Sequence, residues 1–542
     1  DWTSTGLDTD DQVVDTPTDN YATLNPLTNN NSTLSDGNTV RTGGQDYSVG
    51  TTIGFPASGI WQLDMEVVTT SGGGSLAFGV ALESTFKHKT ADASYGDGWA
   101  WATAFSYNAD GTKTNEGTNS AYGANYFTNG KVVSLIFNAD VGALYAAVDG
   151  SLQNSATGAE ITAGTTTNAM TTGLTAGIYV PFIWSGNNAI VSQLHSGSGD
   201  SLQVISGVAP KALNTANLPT PTIADGTAHF QTSLYTGTGA AQTITQTGTG
   251  FEPGFVWAKE RNRASSHVLT DAVRGVASQL SSNLSNAQGT SSQAVTAFNA
   301  DGFDLGDGTG LAAGAINANT YTYAAWQWKA NGAGSSNEDG SINTTATSVN
   351  TTAGISISTY TGTAATATIG HGLGVVPAMI IVKKRNASER WTIFHRSTSD
   401  AYIYLNETFA AETANAAFRF GNNSAVVQPT STVFTVGTSN DVNTNSNQYL
   451  AYCFAEVEGF SRFGSYTGNG STNGPFIFTG FKPAFVIFKR SDSADNWAMY
   501  DATRDPFNVA ENYLLADTTA AETTYSTAKV DFLSNGFKWR GA

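Results

Sequence analysis

The chain has 542 residues and a formal net charge of −18, from 25 Lys and Arg against 43 Asp and Glu. That length exceeds a single core and suits three or four domains, while the charge repels nucleic-acid phosphates and anionic lipid, and no stretch nears the roughly 18 apolar residues of a membrane-crossing helix. With 58 Gly, charged residues at 13%, and abundant Thr, Ser and Asn, the composition disfavours helix, and its 11 Trp, 20 Tyr and 28 Phe exclude wholesale disorder. The single cysteine, Cys453, rules out an internal disulfide, and its apolar setting from Tyr449 to Phe454 reads as buried. Asp1 opens the chain with neither an initiator Met nor a signal-peptide pattern, which fits a start inside a longer polypeptide.

Residues 1–205 read as one β-sandwich. In Trp61-Gln62-Leu63-Asp64-Met65-Glu66-Val67 the apolar residues hold the odd positions, the period of a strand with one wet face. Further strands are expected at 76–82, 132–137, 143–148 and 178–184, with hairpin turns at Asn138 to Gly142 and at Asp149-Gly150. Gly59-Ile60-Trp61, Phe78-Gly79-Val80, the stretch from Phe137-Asn138-Ala139-Asp140 to Asp149-Gly150, and Gly177-Ile178-Tyr179-Val180-Pro181-Phe182 occur in an order that resembles a SPRY domain. The resemblance spans roughly 150 residues and implies a concanavalin-like double sheet used for binding; it carries over no ligand residue.

Residues 206–226 hold Pro210, Pro219 and Pro221 and read as an extended linker. An internal repeat follows. Tyr235-Thr236-Gly237 recurs at Tyr360-Thr361-Gly362 and Tyr466-Thr467-Gly468. A second block, Gly250 to Lys259, recurs as Gly374 to Lys383 and Gly480 to Lys489, and its prolines Pro253, Pro377 and Pro483 keep the spacing of the tyrosines to within one residue. A third block, Asp301-Gly302-Phe303, aligns with Ser431 to Gly437 and with Asn535-Gly536-Phe537. The repeats are placed at 227–336, 351–457 and 458–542 and read as beads, each with its own small β core. The first two end in a strand, Tyr323 to Lys329 and Tyr449 to Phe454; the third reaches Ala542 before such a strand, so either more chain or a neighbouring chain is expected to supply it. The best helix candidate is Asp271 to Leu284, with Val273, Val276 and Leu280 at helical spacing.

The whole pattern, including Asn20 to Leu27 and the junction Asn214 to Pro221, resembles a group of virion proteins from marine phages. That resemblance implies an all-β appendage on a particle surface, a tail fibre, tail spike or capsid fibre, that attaches to a host glycan or receptor beside other virion proteins. A homo-oligomer, with a trimer favoured, suits such an appendage, with no nucleic-acid partner and no membrane insertion. A bacterial surface or filament adhesin would share the composition, and so would a polysaccharide-degrading spike.

Signatures of catalysis are missing from the sequence. There is no Gly-x-Ser-x-Gly, no His-Glu-x-x-His and no phosphate-binding Gly loop, and the six histidines are scattered, His371 in an expected turn. No enzyme, cofactor or metal is expected, although two carboxylates for sugar hydrolysis can always be drawn from 43 acids. Asp301 to Gly308 fails the EF-hand order because Phe303 and Leu305 stand where oxygen ligands are needed, so it reads as a hairpin turn. Sugars bind to aromatic faces beside hydrogen-bonding groups, which makes Tyr95, Asp97, Trp99 and Trp101 binding candidates, with Trp99 and Trp101 also readable as core. Lys259, Lys383 and Lys489 end equivalent strands, and Trp391 and Trp497 follow eight residues after the last two. These tryptophans are further candidates, against a structural reading in which the Lys stem packs on the ring.

Overall fold

The computed structural model describes residues 20–541 apart from 27, 29–31, 44–46, 71–74, 83–103, 175–176, 187–189, 198–201, 219–220, 310–315, 399, 469, 473 and 525–527. These residues are almost wholly β, as the composition implies, and they form two compact units. The first comprises the chain up to Thr220 with Tyr466–Gly480, the second Pro221–Ser465 with Phe481–Gly541.

The first unit is a sandwich of two antiparallel sheets. The larger sheet runs in the order β1 (Thr33–Ser35), β2 (Val40–Thr42), β13 (Ile190–His195), β4 (Ile60–Thr70), β9 (Val132–Asn138), β10 (Ala143–Val148), β11 (Ser151–Leu152). The smaller is β3 (Tyr47–Gly50), β12 (Tyr179–Ser185), β5 (Leu76–Leu82), β6 (Ala104–Asn108), β7 (Thr112–Asn115), β8 (Thr118–Ala121). Between them Trp61, Leu63, Met65 and Val67 of β4 meet Phe78 and Val80 of β5, Val133 and Leu135 of β9, and Tyr107 of β6 in one buried core. The strands expected at 76–82, 132–137, 143–148 and 178–184 are present to within a residue, the one read at 61–67 runs on to Thr70, and the β9–β10 and β10–β11 hairpins fall where the turn residues placed them.

Two expectations need correction here. The even face of β4 is not wet along its first half: Gln62 and Asp64 are buried, and the Gln62 amide donates to Asp64 Oδ1 and to the Gln203 carbonyl, both at 2.9 Å, while Glu66 is half-buried. The Gln203 N–H donates to Asp64 Oδ2 at 2.6 Å, while burial raises the Asp64 pKa. Nor is 206–226 a free linker. β14 (Lys211–Ala212) pairs in parallel with Trp61-Gln62, the Ala22 N–H donates to the Leu213 carbonyl, and Ile205 joins Ile136, Tyr145 and Ile161 of the short helix α1 (Gly158–Ala163) in a second cluster on the outer face. The sandwich therefore continues past residue 205. Polar residues at even positions of β4 marked a face covered by its own chain, which alternation alone cannot distinguish from solvent.

The second unit contains the repeats. The first supplies β15 (Phe230–Thr236), β16 (Gln242–Thr245), β17 (Pro253–Glu260), β18 (Val268–Asp271), β19 (Ser278–Gln279), β20 (Gly289–Thr290), β21 (Val295–Asn299), β22 (Gly302–Leu305) and β23 (Thr322–Lys329). The second supplies β24 (Ala346–Asn350), β25 (Ile355–Thr361), β26 (Ala367–Gly370), β27 (Met379–Lys384), β28 (Trp391–His395), β29 (Ile403–Tyr404), β30 (Val433–Val436), the one-turn helix α2 (Asn440–Asn443) and β31 (Gln448–Phe454). After β32 (Phe476–Phe478) the third supplies β33 (Phe485–Lys489), β34 (Trp497–Asp501), β35 (Asn512–Leu515), β36 (Thr523–Thr524), β37 (Val530–Leu533) and β38 (Gly536–Trp539). The helix expected over 271–284 is absent: β18 ends at Asp271, and residues 278–279 form β19, paired with β20. Tertiary pairing outweighed a weak helical period rich in Ser and Asn. Asp301 to Gly308 does hold a hairpin turn, and Gly302, at φ 149°, sits where a Cβ would meet the Ile244 carbonyl oxygen at 2.0 Å.

The repeats are not separate beads. Each central strand has two buried faces. Val256 and Ala258 of β17 point into a core of the first repeat alone, and Ile380 and Val382 of β27 into one of the second alone. Phe255, Trp257 and Ile381, on the opposite faces, enter a core shared by all three repeats with Trp326, Trp391, Tyr452, Trp497 and Met499.

Three equivalent joints close these repeats into a ring. The Glu389 N–H of the second repeat donates to the Ser285 carbonyl of the first, Asp495 of the third to Thr408 of the second, and Ser265 of the first to Thr519 of the third, each at 2.8 Å. Return bonds run from the N–H groups of Gln288, Ala411 and Glu522 to the carbonyls of Arg385, Ser491 and Arg261. Successive repeats therefore meet through the same surfaces head to tail, and the rotation closes after three: one chain builds what a cyclic trimer builds from three.

Candidate functional site

In the sandwich unit a cavity of about 320 Å³ opens beside the smaller sheet, lined by Leu82, Phe105, Asn115, Glu116, Thr171, Thr172, Gly173, Leu174 and Tyr179. The strand order places these residues together: Leu82 ends β5, Phe105 lies on β6, Asn115 ends β7, and Tyr179 opens β12. Its volume is that of a small-ligand site, and its lining mixes apolar wall with a few polar groups.

The polar groups are specific. The Asn115 side-chain N–H donates to the Met170 carbonyl at 3.3 Å, whereas Asn115 Oδ1 is buried and has no hydrogen-bond partner among the described residues. A buried acceptor left unpaired costs about 1–3 kcal/mol, which a ligand hydroxyl or amide could recover. Glu116 occupies the β7–β8 turn at φ 48°, uncommon for a residue with a Cβ, followed by Gly117 at φ 80°. Its side chain is exposed, and its backbone N–H donates to the Ala104 carbonyl at 3.1 Å. Glu116 is the one carboxylate among the described lining residues, where glycoside hydrolysis uses two.

Tyr95, Asp97, Trp99 and Trp101 lie outside the described residues. Trp391 and Trp497 are in the interior of the ring, 0% and 6% exposed. The Trp391 indole N–H donates to the Ser281 carbonyl at 2.9 Å, and that of Trp497 to the Tyr404 carbonyl at 2.9 Å. Neither ring face is offered to an external sugar. The lysines eight residues earlier hold the same joints: Lys383 Nζ donates to the Ser285 carbonyl and Lys489 Nζ to the Thr408 carbonyl, both at 3.1 Å. Burial lowers Lys383 to about 7 and Lys259 to about 8.

His371 is buried just after β26, where Nδ1 accepts from the Leu373 N–H at 3.2 Å. In the stretch Asp301 to Gly308, Asp304 accepts from Thr243 and Asn299, and Asp307 from Thr309, so two of its three acids have protein partners. Among the described residues no group of three or more His, Cys, Asp or Glu could hold a metal ion. The cavity residues Asn115 and Glu116 had no signal in the sequence, since Thr112–Asn115 is an ordinary polar strand and only its pairing with β6 brings it to Phe105.

Fold and site together define a two-unit all-β protein, a double-sheet sandwich with a lateral cavity and a closed ring of three repeats. The chain belongs to the family described as "Domain of unknown function (DUF7483)", whose model matches residues 225–542. The matched stretch takes in all three repeats. Among solved structures, the SPRY domain of human HERC1 matches at 13% identity over 32% of this chain and 96% of its own, with a TM-score of 0.23. The PSpry domain of TRIM65 matches at 11% identity over 32% of this chain and 90% of its own, with a TM-score of 0.24. No curated protein matches the chain.

Proposed function

We propose that this protein is a non-enzymatic attachment appendage of a bacteriophage particle, in which the sandwich binds a host-surface glycan or receptor and the ring of repeats is its rigid mount. The observation that carries the reading is the cavity, where the apolar wall of Leu82, Phe105, Leu174 and Tyr179 adjoins the unpaired Asn115 acceptor and the exposed Glu116. Saccharides, which present both an apolar face and hydroxyls, suit such a lining. The resemblance of the whole sequence to marine phage virion proteins supports the particle-surface setting, and the charge of −18 disfavours nucleic acid as the partner. A closed ring with its aromatics inside supports a mounting role for the repeats.

The test is binding of the 542-residue chain to an array of bacterial surface polysaccharides, with release of reducing sugar followed in parallel. Saturable binding that weakens about tenfold in Asn115→Ala and Glu116→Gln, without sugar release, is the expected result. Binding indifferent to both substitutions would move the site elsewhere, and released sugar would overturn the non-enzymatic reading.

A further inference from the structure

The first and second repeats are consecutive in the chain, as are the second and third, whereas the joint of the first with the third has no direct covalent link. At this seam residues 515–522 lie against the first repeat. The Ser265 N–H donates to the Thr519 carbonyl, the Glu522 N–H to the Arg261 carbonyl, and the Ser282 hydroxyl to the Ala516 carbonyl at 2.6 Å. The seam also holds His267, fully buried, where the other two joints carry Trp391 and Trp497.

The Trp257 indole N–H donates to His267 Nδ1 at 2.8 Å. An indole nitrogen can only donate, so Nδ1 is bare, and the imidazole proton on Nε2 is donated across the seam to the Leu515 carbonyl at 2.9 Å. An imidazolium carries a proton on both nitrogens, and the one on Nδ1 would face the indole N–H inside a buried contact. Burial and the nearby Lys259 ammonium disfavour the same charge and lower His267 to about 3. The tryptophans of the other joints offer an N–H that does not titrate.

Other charged groups near the seam are paired. Glu260 of β17 meets Arg263 at 2.7 Å, Asp271 of β18 meets Arg274 at 2.6 Å, and Glu522 meets Arg261 at 2.6 Å and Arg504 at 2.9 Å. Lys259, lowered by burial to about 8, keeps its charge in acid. Asp517, whose carboxylate accepts from the Trp497 N–H at 3.0 Å, is raised by burial to about 6. Because that value lies above the unfolded one, its protonation stabilises the fold as pH falls through 6, which opposes the histidine. Its counterparts Asn283 and Asn406 accept the same backbone bond from His267 and Trp391 at 3.0 and 2.8 Å.

We propose that this seam is an acid-released latch: protonation of His267 detaches residues 515–522 from the first repeat while the other two joints stay closed. The Trp326 indole bond to Asp501, at 3.1 Å in the shared core, lies outside the detached segment, so the release is local.

Amide exchange of the 542-residue chain at pH 7 and pH 5, expressed as protection factors, reads the seam at Ser265 and Glu522 and the other joints at Gln288, Glu389, Ala411 and Asp495. With a released imidazole near its ordinary value of about 6.5, opening of the seam is expected to rise about 20-fold between the two, with little change at the other joints. His267→Gln should abolish the response. So should Trp257→Ile combined with His267→Trp, which gives the first repeat the isoleucine and tryptophan that the second holds at these positions. Asp517→Asn, the residue of both siblings, should leave it in place. Equal loss of protection at all three joints, no loss at the seam, a loss that persists in both histidine variants, or one that vanishes in Asp517→Asn would each overturn the proposal.

Discussion

Two of the three joints in the ring place an indole N–H against a carbonyl of the preceding repeat, Trp391 on Ser281 and Trp497 on Tyr404. At the remaining joint the same position is His267. The Trp257 indole N–H donates to His267 Nδ1 at 2.8 Å, so the ring proton sits on Nε2 and is donated to the Leu515 carbonyl at 2.9 Å. The large side chain has moved one strand over. Trp257 stands beside His267, at the position that Ile381 and Ile487 hold in the other two repeats. What the joint conserves is an N–H donor at one point and a filled volume around it, which different residues can meet.

The largest way to break this comparison lies beside the joints. Asp271 and Asp501 each hold a fully buried arginine three residues on, Arg274 and Arg504, at 2.6 Å. Asp271→Ala strands a buried guanidinium and the Tyr452 hydroxyl, and is expected to cost about 3–5 kcal/mol, measured by urea unfolding of the ring unit. The second repeat has no such pair, so His395→Ala should cost clearly less. Equal losses would mean that the pairs add nothing beyond packing.

Acid separates the histidine joint from the tryptophan joints. Burial, reinforced by Lys259, lowers His267 to about 3, so its neutral form is favoured in the folded state. The stabilisation it gives is full above about 6.5, the unfolded value, and is lost as pH falls from there toward 3. Between pH 6.5 and 5 the protein should lose about 1.5–2 kcal/mol more than His267→Gln does, measured by paired unfolding curves. Parallel curves would show that the imidazole is not held neutral at this joint.

The smallest change sharpens the comparison. Trp391→Phe keeps most of the ring volume and removes only the donor, leaving the Ser281 carbonyl without its indole bond. A loss of about 1 kcal/mol in thermal unfolding is expected, with Trp497→Phe alike. A loss above about 3 kcal/mol would assign the joint to packing instead.

Much of the fold was legible from local pattern. The alternation in 61–67, the turn residues at 138–142 and 149–150, and the thrice-repeated Tyr-Thr-Gly and Pro blocks lie close in sequence, where a strand period or a turn's φ requirement acts directly on residue choice. The cavity was not legible, because Asn115 and Phe105 meet only through strand pairing. The ring was half-legible: Phe255-Val256-Trp257-Ala258 is apolar at every position, the mark of a strand buried on both faces, but which second surface covers it is not a local property.

By itself, then, the sequence determined the all-β class, the sandwich strands and the existence and spacing of three repeats, since backbone propensity and period act over a few residues. Tertiary structure alone decided that Trp391 and Trp497 are joints inside the ring, that residues 203–214 cover β4, and that β33 is the end strand of the sheet β33-β34-β35-β36. Each of these depends on which surfaces meet across 50 to 250 residues of chain, where burial and hydrogen-bond satisfaction choose among partners that local pattern treats as equal.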